Sequence, residues 1–140
     1  MPVIRTAETP DEIRRCHPVL VQLRPALGAD DLVALVSRLA AHGYRLIYLE
    51  EEGEIVAVAG YRITEMLRTG RMLEVDDLVT AQDGRSRGYG KALLGWMMEE
   101  GRRTGCSVVE LDSATHRHDA HRFYFREGMH ILGYHFSAAL

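Results

Sequence analysis

The segment that most restricts the fold runs from Val79 to Leu94, VTAQDGRSRGYGKALL. It leaves a β-branched, apolar run, passes Gly84, Gly88 and Gly90, and enters an apolar stripe at helical spacing. A strand therefore feeds a turn, and the turn opens a helix. The first turn of a helix has free N–H groups and a partial positive charge, so its mouth favours an anion. Glycines remove the side chains that would hold a phosphate off those groups, and Arg85, Arg87 and Lys91 add full charges. A P-loop requires glycine at position 85 and Ser or Thr after Lys91, where this chain has Arg85 and Ala92. The dinucleotide fingerprint requires a small residue at position 93, which is Leu93. What remains is a turn of the form Arg85-x-x-Gly88-x-Gly90, suited to a phosphate or pyrophosphate.

The rest of the chain supplies a domain around this turn. Its 140 residues suit one domain, and 46% apolar content excludes disorder. A net charge of −3 argues against nucleic acid as a partner. No apolar run approaches the roughly 20 residues of a membrane span. The opening MPVIRT lacks the apolar run of a secretory signal, and Cys16 and Cys106 form no paired motif, so a cytoplasmic location is expected. Residues 3–7 read as a strand, and Thr9-Pro10-Asp11-Glu12 as a helix start. That helix carries Ile13, Cys16, Leu20 and Leu23, with Pro18 expected to kink or divide it. A second helix opens at Asp30 or Asp31, carries Leu32, Leu35, Val36 and Leu39, and closes at Gly43. Residues 44–49, 55–63 and 72–80 predict an antiparallel meander, with an acidic turn at residues 50–54 and another at residues 68–71. After the glycines, Leu93, Leu94, Met97 and Met98 form a helical stripe ending at Gly105. Then come a strand, Val108–Leu111, a helix with Ala120, Phe123 and Tyr124 ending at Gly128, and a last strand, residues 131–136. The expected class is α+β, a mixed and mostly antiparallel sheet flanked by helices in the order β-α-α-β-β-β-α-β-α-β, over one domain, residues 1–140.

The turn Arg85-x-x-Gly88-x-Gly90 resembles the acyl-CoA loop of the GNAT-type N-acetyltransferases. Ala120-His121-Arg122-Phe123-Tyr124-Phe125-Arg126-Glu127-Gly128-Met129 resembles that family's later motif, Ala-x-x-Phe-Tyr-x-x-x-Gly-Phe/Met, and lies 30 residues after Gly90 with a helix and a strand between. The element order matches too, so the resemblance covers essentially the whole chain. One departure stands at Arg117, where many members carry Asn.

The resemblance implies transfer of an acetyl group from acetyl-CoA to a primary amine, of a small molecule, an amino-acid derivative or a protein, by direct attack in a ternary complex. An alternative from another class is a non-catalytic acyl-CoA sensor or interaction module. Acetyl-CoA is the implied cosubstrate, held by Leu78, Val79, Thr80, Arg85, Ser86, Arg87, Gly88, Tyr89, Gly90 and Lys91, with Arg117 as a further phosphate contact. A backbone amide near Leu78 or Val79 would donate to the carbonyl oxygen. Tyr124 matches the tyrosine that protonates the departing sulfur. For the base, Glu74, Asp76 and Asp77 remain open, as does a water relay. Strand alternation puts Glu74 and Asp76 on one face and Asp77 on the other, unless a bulge shifts the phase. Asp76, Asp77 and Asp112 would also make the cleft attractive to a cationic amine. His116, His118 and His121 lie close in sequence, without the pattern of a zinc site; no metal is expected, and His118 or His121 could carry protons. Dimers are common among similar proteins, which adds a homodimer to the expectations.

Overall fold

The computed structural model describes residues 2–84 and 87–140. The chain forms two packing units, Met1–Glu110 and Leu111–Leu140. The first contains β1 (Val3–Thr6), α1 (Pro10–Leu20), α2 (Ala29–Ala40), β2 (Tyr44–Glu51), β3 (Glu54–Met66), β4 (Gly70–Thr80), a 3-10 turn (Gln82–Gly84) and α3 (Tyr89–Arg103). It also contains most of β5 (Val108–Leu111). The second contains α4 (His118–Arg126).

The sheet order is β1-β2-β3-β4-β5, and the first three pairings are antiparallel. β2 and β3 are joined by Glu52 and Gly53, at φ 53° and φ 80°. Two positive-φ residues give the two-residue turn whose twist matches an antiparallel hairpin. β5 advances alongside β4 in the same direction. Its preceding residue, Ser107, donates its amide to the Arg71 carbonyl at 2.8–3.0 Å spacing typical of a ladder, here 2.9 Å. Two residues on, Val109 and Leu73 both lie within 4 Å of where Gly101 would carry a Cβ. The sheet is therefore mixed, as a strand–helix–strand crossover requires.

α1 starts in a capping box: the Thr9 hydroxyl accepts from the Glu12 amide at 3.1 Å, and the Glu12 carboxylate accepts from the Thr9 amide at 3.3 Å. Pro18 does not divide the helix. It falls in the last turn, where only one hydrogen bond is forfeited, and α1 runs on to Leu20 with Val21 donating to the His17 carbonyl. α1 and α2 bury Ile13, Cys16, Leu20, Leu32 and Val36 against Tyr44, Leu46, Tyr48, Val58 and Val79 on one sheet face. α3 covers the other face, where Trp96 meets Tyr61 at 6.0 Å between ring centroids and Leu93, Leu94 and Met97 are fully buried. No helix among the described residues is long and apolar enough to cross a membrane.

The expected last strand at residues 131–136 does not form: the backbone after Met129 is irregular to the end. A strand requires a hydrogen-bonding neighbour and a surface to bury its alternate side chains. Here Tyr134 and Phe136 are 84% and 91% exposed. The order observed is β-α-α-β-β-β-α-β-α.

Candidate active site

The mouth of α3 follows directly from β4. Gly88 is its N-cap at φ 83°, ψ 10°, a left-handed conformation that suits glycine, and no side chain caps the first turn. No acidic residue occupies that turn, and Arg87 and Lys91 are exposed beside it. The space where a Gly88 Cβ would point is open. Arg85 and Ser86 lie outside the described residues. Tyr89 points inward: it is buried, and its hydroxyl donates to Glu51 of β2. That bond raises the phenol's pKa, with Arg87 close enough to offset part of the rise. Tyr89 thus anchors the mouth to the sheet.

Leu78, Val79 and Thr80 sit opposite Ala59, Val58 and Ala57 of β3. The Ala81 amide donates to the Val56 carbonyl at 2.8 Å. Alternation then turns the Val79 amide toward β3, and the amides of Leu78 and Thr80 toward the β5 side. Because β5 has four residues and starts beside Arg71, it ends short of Leu78.

The three carboxylates do not divide between two faces as strand alternation predicts. Register pairs Tyr61 with Val75 and Gly60 with Asp77, so Asp76 is an extra residue, a β-bulge. Glu74 sits opposite Arg62, which sits opposite Tyr44; Asp77 sits opposite Gly60, which sits opposite Leu46. Tyr44 and Leu46 belong to the α1–α2 face, so Glu74 and Asp77 face that way too. Asp76 joins them through Arg62, whose Nε and Nη2 donate to its two oxygens at 2.7 and 2.9 Å, while Nη2 also reaches Glu74 at 2.8 Å. Asp77 accepts from the Tyr44 hydroxyl at 2.7 Å and from Arg24 Nε at 3.0 Å. Arg24 Nη2 further donates to the Asp76 carbonyl at 3.1 Å. Burial, then the charge of Asp77, holds the Tyr44 phenol far above its ordinary pKa; the Asp76 hydrogen bonds raise that of Arg62. Both side chains therefore stay as hydrogen donors to the acidic cluster.

Sequence reasoning missed Tyr44, Arg24, Arg62 and Gly60. The available signal was Gly60, an isolated glycine within a strand pattern, which marks a bulge or a close approach. Both occur. A Cβ at Gly60 would overlap the Tyr44 hydroxyl and lie 2.8 Å from its Cε1.

In the second unit, α4 carries Tyr124, half-buried, with its ring 5.4 Å from that of Phe123. Burial raises the Tyr124 pKa, and the charge of Arg117 offsets part of the rise. Phe125 is the outward member of the aromatic trio. His121 Nε2 lies 2.8 Å from the Ala114 carbonyl, and its ring meets His118 edge-on at 6.0 Å. His135 Nδ1 lies 3.2 Å from Asp112. No cluster of potential metal ligands occurs among the described residues.

A family model described as Acetyltransferase (GNAT) family matches residues 9–129. In sequence, an uncharacterized N-acetyltransferase of Bacillus subtilis (strain 168), YhdJ, is 36% identical over 118 residues, 81% of either chain. An aminoalkylphosphonate N-acetyltransferase of Salmonella typhimurium (strain LT2) is 35% identical over 98 residues, 69% of this chain and 62% of that protein. In structure, the aminoglycoside N-acetyltransferase AAC(6')-Iy in complex with CoA gives a TM-score of 0.87, covering 100% of this chain and 95% of that one at 15% identity, which is a likeness of fold.

Proposed function

The chain belongs to the acetyltransferase (GNAT) family, and we propose that it acetylates a primary amine by direct attack, with residues 1–140 acting as one domain. The observation that carries this reading is the mouth of α3, with left-handed Gly88, no capping side chain and no acid in the first turn. Acetyl-CoA, when bound, supplies the acetyl group as a thioester and carries the diphosphate that such a mouth accepts. The amides of Tyr89, Gly90 and Lys91 would hold that diphosphate with the charges of Arg87 and Lys91. Arg85, Ser86 and Arg117 enter the same role on their motif positions. The two free thiols, Cys16 and Cys106, suit a reducing, cytoplasmic setting.

The Leu78 amide is the donor we assign to the carbonyl oxygen, with Val79 and Thr80 shaping the strand around it. A protonated amine has no lone pair, so it must lose a proton before attack. Glu74, Asp76 and Asp77 face the α1–α2 side as one cluster and supply carboxylates for that step. Asp77 is favoured because it also lines a cavity beneath α2. The nitrogen–carbon bond forms as the carbon–sulfur bond breaks. Two protons leave the nitrogen: one goes to solvent through the carboxylates, and the other is matched by the proton Tyr124 gives to sulfur. A raised phenol pKa keeps Tyr124 protonated at neutral pH.

The test is a thermal melt with acetyl-CoA, followed by CoA release with an amine panel. A ligand at a hundredfold excess over Kd adds about 2.7 kcal/mol, roughly 8–10 °C for a domain of this size. Gly88→Glu should remove the shift by placing bulk and negative charge at the mouth. Equal shifts from ATP or NAD, or an undiminished shift in Gly88→Glu, would refute the reading.

A further inference from the structure

The loop between α1 and α2, together with one face of α2, borders a half-open cavity of about 510 Å³ beside β4. Small-molecule sites run to roughly 300–1,000 Å³, so it can receive a ligand. Its wall is strongly apolar, with Leu20, Leu23, Leu27, Leu32, Leu35 and Leu39 among the lining residues. Leu23, Leu27, Leu35 and Leu39 are only half-buried although they belong to the interior stripes of their segments. Leu23, Leu27 and Leu39 pack on the core on one side and, with Leu35, border the cleft on the other.

Polar side chains enter this cavity from Arg24, Tyr44 and Asp77. Behind Asp77 stand Asp76 and Glu74, so three carboxylates meet two guanidiniums, Arg24 and Arg62. One negative charge is in excess. Tyr44 already donates to Asp77 Oδ2, and Arg24 is bound to both Asp77 and the Asp76 carbonyl. The leucines offer no partner to a hydroxyl, a phosphonate or an amide, and burying such a group without one is costly.

We infer that the acceptor is a primary amine on an apolar body, an arylalkyl or branched alkyl amine, with its ammonium at Asp77 and its body among the leucines. The inference rests on the acetyl transfer proposed above and adds the class of acceptor. Arg24 pairs with Asp77, so the excess charge sits behind it on Glu74 and Asp76, which share Arg62; that charge draws the ammonium toward Asp77, and the leucine wall selects what is attached to it.

The experiment measures kcat/KM by CoA release for ethylamine, butylamine, 3-methylbutylamine and phenethylamine, beside ethanolamine and aminomethylphosphonate. Each added methylene should raise kcat/KM about fourfold, which is ~0.8 kcal/mol per buried CH₂ expressed as a ratio. Butylamine should therefore exceed ethylamine roughly 15-fold, and ethanolamine and aminomethylphosphonate should be the poorest acceptors. Leu35→Gln on α2 should flatten the series while leaving the acetyl-CoA melting shift in place; Leu23→Gln asks the same from the facing segment should the first variant fold poorly. A flat series, or a preference for ethanolamine or aminomethylphosphonate, overturns the acceptor class and leaves acetyl transfer standing. No turnover with any amine, in protein that still melts higher with acetyl-CoA, overturns both.

Discussion

Gly60→Ala tests the packing on which the acidic cluster depends. Gly60 lies mid-strand in β3, opposite Leu46 and Asp77. The Tyr44 ring crosses the space where a Cβ would stand: that atom would overlap the hydroxyl and come within 2.8 Å of Cε1. The ring cannot easily swing aside, since Tyr44 is 5% exposed and its hydroxyl is held at 2.7 Å by Asp77. Two costs follow. A hydrogen bond to a charged group contributes about 1.5–3 kcal/mol, and forcing an extra carbon into a packed core costs about 1–3 kcal/mol. The sum, about 2.5–6 kcal/mol, is a large part of a typical domain stability of about 5–15 kcal/mol. Urea denaturation followed by the fluorescence of the single tryptophan, Trp96, which packs on Tyr61 in the core, measures it. The same substitution in a Tyr44→Leu background meets no ring and should cost less than about 1 kcal/mol, giving a coupling energy of about 1.5 kcal/mol or more, as contacting pairs show. A cost below about 1 kcal/mol in the wild-type background, or equal costs in the two backgrounds, would refute the reasoning.

Acid should weaken the fold through three carboxylates. The Tyr48 hydroxyl beside Glu12, Arg103 beside Glu100 and Arg68 beside Glu110 each hold a carboxyl below its usual 4.5. A lowered folded-state pKa contributes stability that is complete above the unfolded value and is lost as pH falls through the folded one. Melting temperatures should therefore drop as pH goes below about 4.5, and Glu12→Gln should make that drop shallower; an unchanged slope in Glu12→Gln would acquit it. Tyr124→Phe should lower kcat about 100-fold or more, the lower end of what general acids supply, while sparing the acetyl-CoA melting shift. Unchanged turnover would remove Tyr124 as the acid.

The hairpin at Glu52-Gly53, the three meander strands and the helix after Gly88 were legible because their signals are local: turn residues that accept positive φ, and apolar periods of two or of 3.6. Failures arose where the outcome depends on a distant neighbour. Residues 131–136 have strand composition, but composition cannot state whether a free edge is available. Pro18 reads as a helix breaker, yet its position in the last turn left little helix to break. The α2 stripe of Leu32, Leu35, Val36 and Leu39 reads as uniform core; the fold buries Leu32 and Val36 and leaves Leu35 and Leu39 half-buried, all four bordering the cavity. Of the candidate site, the glycine mouth was legible as a motif, whereas the arrangement of Glu74, Asp76 and Asp77 was not. Nothing within residues 74–77 announces a bulge.

That one extra residue reconciles two demands on β4. Upstream of it, Leu73 and Val75 are buried, and Leu73 lies under Gly101 of α3. Downstream, Val79 belongs to the opposite core, beneath α1 and α2. A strand of strict alternation starting from Leu73 and Val75 would turn Asp77 toward α3 as well. There it would meet the surface that buries Met97 and Leu94, without Tyr44 or Arg24, and an unpaired buried carboxylate costs several kcal/mol. The bulge at Asp76 instead delivers Asp77 to Tyr44 and keeps Glu74 and Asp76 on Arg62. The bulge is thus what lets a strand that carries Asp76 keep both an apolar α3 face and an acidic α1–α2 face: deleting Asp76 would leave Val75 and Asp77 adjacent on opposite faces, keep Asp77 and Val79 beneath α1 and α2, and remove only the carboxylate that holds Arg62.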